Sequence, residues 1–192
     1  MNKQKIIMAA LVAIGAFTAA SGQNITTAQS NQTPTRSTQN AVSSTDKQFV
    51  TQAARGGMAE VQLGQLASQR AVKNEVKQFG QGMVQDHTQA NNELKELAAQ
   101  KGITLPKSIG RENKKVKANL SKLSGATFDQ AYMNQMVKDH VKTVSLFQRE
   151  ADQGHDQDLK AWATKTLPTL QEHLQHARTL TAQSTGNANV SK

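Results

Sequence analysis

The chain of 192 residues carries 23 Lys and Arg against 14 Asp and Glu, has no Cys, and is only 4% aromatic. The lack of Cys excludes disulfide scaffolds, thiolate zinc sites, iron–sulfur clusters and Cys nucleophiles. Three Pro and twelve Gly are too few for the many turns of an all-β domain, so a single basic helical domain is expected.

Lys3 and Lys5 precede an apolar run from Ile6 to Phe17, after which come Ala19, Ala20, Ser21 and Gly22. That run is too short for an ordinary transmembrane helix and has the three-part pattern of a secretory signal, so residues 1–22 are expected to be removed on export. An uncleaved anchor is the alternative, whereas a lipoprotein needs a Cys to acylate. Cleavage removes two Lys and no acid, which lowers the formal charge from +9 to +7, and no transmembrane helix is expected in the mature protein. Residues 23–45, rich in Ser, Thr, Gln and Asn, bury too little surface to offset chain entropy and are expected to form a disordered polar linker. Residues 183–192 repeat that composition as a disordered tail.

Between them, residues 46–182 show apolar positions at helical spacing. Asp46 can cap a first helix reaching about Arg70, and Asn74 opens a second that stops at Lys101-Gly102, with Pro106 beyond. Ser124 opens a third helix reaching Asp152. Gly154 ends it, and Asp156 caps a fourth that continues to about Ala182. The short breaks demand antiparallel neighbours. Residues 102–123, with Arg111 to Leu123 as a short helix, are long enough to traverse the bundle and make the second and third helices parallel. The expected fold is therefore an all-α four-helix bundle with ferritin-like topology and one long crossover, the alternative being an up-down-up-down bundle with a loose loop. Pro168 removes a backbone donor within the fourth helix and predicts a kink one turn before His173.

Plotting each helix at 100° per residue places one polar residue within each apolar stripe. Met133, Met136, Val144, Phe147 and Ala151 lie within about 40° of His140, and Val76, Met83 and Leu94 do the same for His87. Phe49, Ala53, Gly56, Gly64, Ala67 and Ala71 surround Glu60. His173 lies about 50° from the centre of its stripe, at a boundary position. All four are near mid-helix and share one level whichever way the helices run.

One carboxylate and three imidazoles at one level of an apolar core form a ligand set for one transition-metal ion, whether zinc, iron, manganese or copper. The same residues can instead hydrogen-bond among themselves as a polar network that fixes helix register. Asp86, Asp139 and Glu172 each precede a His and point about 100° away from it. They are either solvated or, for Asp86 and Asp139, acceptors for an imidazole on an adjacent helix. His176 and His155 are expected at the surface. Gly57 and Gly64, with Gly80, are expected to permit close helix approach.

Several strings carry a family resemblance: Gly57-Met58-Ala59-Glu60-Val61, Met83-Val84-Gln85-Asp86-His87-Thr88, Phe128-Asp129-Gln130-Ala131-Tyr132-Met133, Val137-Lys138-Asp139-His140, and Thr166-Leu167-Pro168-Thr169-Leu170-Gln171-Glu172-His173-Leu174. Over residues 46–181 the chain resembles a bacterial exported family of unknown function, often labelled predicted outer-membrane proteins and classed as ferritin-like. The resemblance implies a ferritin-like bundle and a periplasmic or outer-membrane-associated location, with no established activity. It does not imply a di-iron centre. Di-iron ferritin-like sites use Glu-x-x-His pairs, and here Val84 and Leu170 stand three residues before His87 and His173.

The crossover holds Lys101, Lys107, Arg111, Lys114, Lys115, Lys117 and Lys122 against Glu112 alone. It is either a solvated face or a docking surface for anionic envelope components, with Lys107, Arg111, Lys114, Lys115 and Lys117 as its contacts. Export argues against a nucleic-acid partner. No Gly-rich phosphate loop, nucleophile elbow or HExxH helix is present, which weighs against an enzyme. The functional readings are thus an exported metal-binding bundle in stress or metal homeostasis, or a metal-free structural or interaction bundle that docks through its basic crossover.

Overall fold

Ser43 accepts a hydrogen bond from the Asp46 amide at 3.0 Å, and this cap starts helix α1 (Ser44–Arg70) in the computed structural model, which describes residues 41–186. The signal segment and residues 23–40 of the expected linker lie outside the described residues. The cap is Ser43 rather than Asp46, whose carboxylate faces away from its own helix and is fully buried. Helix α2 (Asn74–Gln100) ends where expected. Gly102 is left-handed at φ 64°, its amide donates to the Ala99 carbonyl, and the Ile103 amide donates to that of Ala98, the paired bonds that satisfy a helix C-terminus.

A short helix α3 (Gly110–Leu120) follows, then α4 (Gly125–Gln153) and α5 (Gln157–Gly186). Asp156 caps α5 by accepting from the Asp158 and Leu159 amides, each at 3.1 Å. Gly154 ends α4 in an extended rather than a left-handed conformation, with φ −57° and ψ 147°. Helix α5 runs through Pro168 without interruption and on into the segment expected as tail. The described residues thus form an all-α bundle of five helices with no strands, not four, because the connection between α2 and α4 is itself partly helical.

Two apolar clusters show how the long helices are laid out. One gathers Leu63, Leu66 and Ala67 of α1, Val76, Phe79 and Met83 of α2, Phe128, Tyr132, Met133 and Met136 of α4, and Ala177 and Leu180 of α5. The other gathers Phe49, Val50, Ala53 and Ala54, then Leu94 and Ala98, Phe147, and finally Leu159, Trp162, Ala163, Leu167 and Leu170. The start of α1 therefore shares an end of the bundle with the ends of α2 and α4 and the start of α5. Segment 101–124 joins opposite ends of the bundle, and α3 packs on α1 and α4 on the way. Each fully buried large side chain contributes about 1.5–3 kcal/mol. Phe49 packs edge-on against Phe147 and Trp162, with ring centroids 5.1 and 5.9 Å away, a preferred aromatic geometry.

Helices α1 and α2 meet through Gly64 and Gly80, as the small-residue spacing predicts. A Cβ on Gly64 would stand 2.6 Å from the Gly80 carbonyl oxygen, and one on Gly80 would stand 2.9 Å from that of Gly64.

Candidate metal centre

The level between the two apolar clusters is where all four singled-out residues lie. Glu60 falls between Ala54 and Leu63, His87 between Met83 and Leu94, His140 between Met136 and Phe147, and His173 between Leu170 and Ala177. Burial follows from that level. His140 is 1% exposed and His87 and Glu60 are each 6% exposed, while His173 is partly buried.

Three of the four converge. One ring nitrogen from each of His87, His140 and His173 lies within 4.8 Å of the other two, and the ring centroids are 5.5 to 5.9 Å apart. No oxygen of Glu60 joins that group. Its carboxyl stands close enough to Asp139 to be raised by that charge, and close enough to Tyr132 to raise the phenol in turn, so it lies beside the imidazoles rather than among them. The sequence plot fixed its face and level, but not how far the side chain reaches.

Hydrogen bonds decide what each imidazole offers. His140 donates its Nδ1 hydrogen to the Met136 carbonyl at 2.9 Å, one turn back on α4. His173 donates its Nε2 hydrogen to Asp86 Oδ2 at 2.8 Å, across from α5 to α2. Because a carbonyl only accepts, His140 is fixed with its lone pair on Nε2. The Asp86 bond likewise leaves the lone pair of His173 on Nδ1. His140 Nε2, His173 Nδ1 and His87 Nε2 are all buried without a hydrogen-bond partner. Asp86 is thus the acceptor on an adjacent helix, while Asp139 is occupied by Gln135 Nε2 at 2.8 Å.

This arrangement is not a satisfied polar network. Two lone pairs cannot hydrogen-bond to each other, and each unpaired buried polar atom costs about 1–3 kcal/mol. Burial also suppresses the cationic forms. His87 is lowered to about 3 by burial and then by the nearby His140 and His173. Burial likewise lowers His140, to about 4, with His173 adding to it against the opposing Met136 bond. A ring whose opposite nitrogen is hydrogen-bonded, as in His140 and His173, presents its lone pair in the way a transition metal needs. The Asp86–His173 pair also has the form of a carboxylate that orients a metal-binding His.

Glu60 is in a different state. Burial, followed by the charge of Asp139, raises its carboxyl well above the ordinary value, and its Oε2 has no partner. The Tyr132 hydroxyl, raised by burial and then by Glu60, is also unpartnered. Asp139 itself is raised by burial. A cavity of about 50 Å³ borders the centre, and Glu60, Asp86, His87, Asn91 and His173 are in its wall. His176 and His155 are exposed, as expected.

The sequence profile described as "Domain of unknown function (DUF4142)" matches residues 31–180, and the chain belongs to that family. No curated protein matches it. Among solved structures, a DUF305 fragment from Deinococcus radiodurans is similar at a TM-score of 0.66 and 13% identity, covering 74% of this chain and 98% of that one. A DUF305 protein from Streptomyces coelicolor, described as secreted, gives 0.62 and 13%, with 73% and 93% covered. CopM in its Cu(II)-bound form gives 0.59 and 13%, with 72% and 96% covered. At such identity these likenesses concern the fold alone. No helix among the described residues is long and apolar enough to cross a membrane.

Proposed function

We propose that this DUF4142 protein is an exported helical bundle that binds one transition-metal ion through His87 Nε2, His140 Nε2 and His173 Nδ1, in metal homeostasis or the stress response. The observation that carries the reading is three imidazoles converging within 4.8 Å, each with a buried, unpartnered ring nitrogen. A Lewis acid satisfies all three at once, whereas the lone pairs of His140 and His173 cannot satisfy each other. Three imidazoles suit copper, zinc or iron better than manganese, which prefers oxygen ligands. Copper is the first ion to test, because it heads the affinity series for nitrogen sites and because a neighbour of the same fold is known in a Cu(II)-bound form. Glu60 is left out of the ligand set. The test is metal content by elemental mass spectrometry on mature protein purified without chelators or a His tag. About one ion per chain in the wild type, lost in His140→Ala, is expected. A metal-free wild type that also fails to take up added Cu(II) or Zn(II) overturns the reading.

The same proposal includes a ferritin-like arrangement of the four long helices, supported by the crossover joining opposite ends of the bundle, and a periplasmic or outer-membrane-associated location, supported by the signal-like segment 1–22. A second reading has its own observation. Lys107, Lys114 and Lys117 line one concavity of about 390 Å³ beside α3, and Lys117 Nζ is held by Gln62 rather than by an acid. The basic crossover, Arg111 and Lys115 included, would dock there on anionic envelope lipids. Salt-sensitive sedimentation with anionic but not zwitterionic vesicles is expected, and equal binding to both overturns it.

A further inference from the structure

The cavity beside the three histidines is asymmetric. His87 and His173 are in its wall, but His140 is not. An ion held by all three nitrogens therefore has His140 behind it and turns its remaining coordination side toward the cavity. Sites with three protein ligands keep such a fourth position for an exogenous ligand. At about 50 Å³, the cavity holds roughly three to five waters or one ligand of two or three heavy atoms.

Most of the wall is apolar, with Ala90, Phe147, Trp162 and Leu170 among its residues. Its polar groups differ in what they have left to give. Asp86 Oδ2 is engaged by His173, and Asn91 lies against the backbone of Gly57, where it occupies the space of a Cβ. Glu60 is 6% exposed and lines the cavity with Oε2 unpartnered, as is Nε1 of Trp162 in the same wall. Glu60 is thus a buried carboxyl outside the imidazole cluster that lines the same cavity as His87 and His173.

We infer that the three-histidine centre binds a small exogenous lone-pair donor of two or three heavy atoms in this cavity, and that Glu60 is its hydrogen-bonding partner rather than a metal ligand. The inference rests on the metal reading above. The ion takes the donor's lone pair, and Glu60 shares a hydrogen with the donor's far end. The small volume favours a small donor, so the site selects by size as well as by donor chemistry. Gly56 also lines the cavity, and a Cβ there would have no atom within 4 Å, so this position can be used to fill the space without disturbing the helix.

The test uses the mature full chain loaded with Co(II), whose visible absorption reports coordination, and titrated with azide. Azide is expected to saturate at one per cobalt and to shift the absorption bands. Glu60→Leu, which keeps the volume and removes the partner, is expected to lower azide affinity about tenfold, equivalent to about 1.4 kcal/mol, with cobalt affinity changed less than about twofold. Gly56→Leu is expected to retain cobalt and lose the azide response. Cobalt uptake with no azide response overturns the inference alone, as does an azide affinity that neither variant changes. A Glu60→Leu variant that loses cobalt makes Glu60 a ligand and also overturns it. A wild type that takes up no cobalt overturns the three-histidine reading, and this inference with it.

Discussion

Asp46 and Asp129 make the same contact in opposite directions. Asp46, near the start of α1, accepts from the His155 and Asp156 amides of the α4–α5 turn at 3.2 and 2.9 Å. Asp129, near the start of α4, accepts from the Val72 and Lys73 amides of the α1–α2 turn at 3.1 and 2.9 Å. Each carboxylate is essentially fully buried, and each hairpin is thereby tied to the turn of the other. Burial, the largest single influence, would raise Asp46, but the two amide bonds together with Ser43 and the nearby His155 outweigh it and hold the carboxyl below its ordinary value.

Removing either tie exposes how much it contributes. Asp129→Ala is expected to lower unfolding stability by about 2 kcal/mol, since two hydrogen bonds to a buried charge are lost, while the helical content of the folded protein is kept. Urea unfolding followed by circular dichroism reads this directly. A change below about 0.5 kcal/mol would mean that solvent replaces the carboxylate in the turn.

The glycine contact between α1 and α2 makes a paired prediction. A Cβ on Gly80 would stand 2.8 Å from Ala67 Cβ and 2.9 Å from the Gly64 carbonyl, so Gly80→Ala is expected to cost about 1–3 kcal/mol through overpacking. Gly82 lies two residues on in the same helix with open space around its Cβ position. Gly82→Ala is expected to stabilise by up to about 1 kcal/mol through helix propensity. If both variants shift the thermal midpoint the same way, helix approach does not decide the role of Gly80.

Glu150 gives the fold a pH dependence. It is 4% exposed with Oε1 unpartnered, and burial, then the charges of Asp46 and Asp156, push its carboxyl up to about 7. The folded chain therefore holds this proton over a range where the unfolded chain, near 4.5, releases it. Stability contributed by the protonated form is present below about 4.5 and is lost as pH rises through about 7. Glu150→Gln is expected to raise stability at pH 8 by about 1 to 2 kcal/mol and to leave it nearly unchanged at pH 4. Chemical denaturation at the two pH values checks this, and an equal gain at both would point to packing instead of ionisation.

The Asp86–His173 bond predicts a change in metal affinity. Asp86 fixes the tautomer that presents His173 Nδ1 to the centre, so Asp86→Ala is expected to weaken metal binding by about 10- to 100-fold. Isothermal titration with Cu(II) or Zn(II) provides the readout. An unchanged affinity would show that packing alone orients the ring.

The sequence by itself determined the all-α class, most of the helix limits, and the faces on which Glu60, His87, His140 and His173 lie. Each of these is local, set by caps, breakers and a 3.6-residue period within one helix. Even the glycine contact was legible, because small residues at helical spacing have few other uses. The tertiary structure decided what depends on distances between helices. It separated Glu60 from the imidazole cluster, engaged Asp86 but not Asp139 with a His, and turned Asp46 from a cap on its own helix into a tie to the far turn. Periodicity fixes the angle and height of a side chain on its helix. The depth it reaches, and the atom that meets it there, are set by the packing of the neighbouring helices.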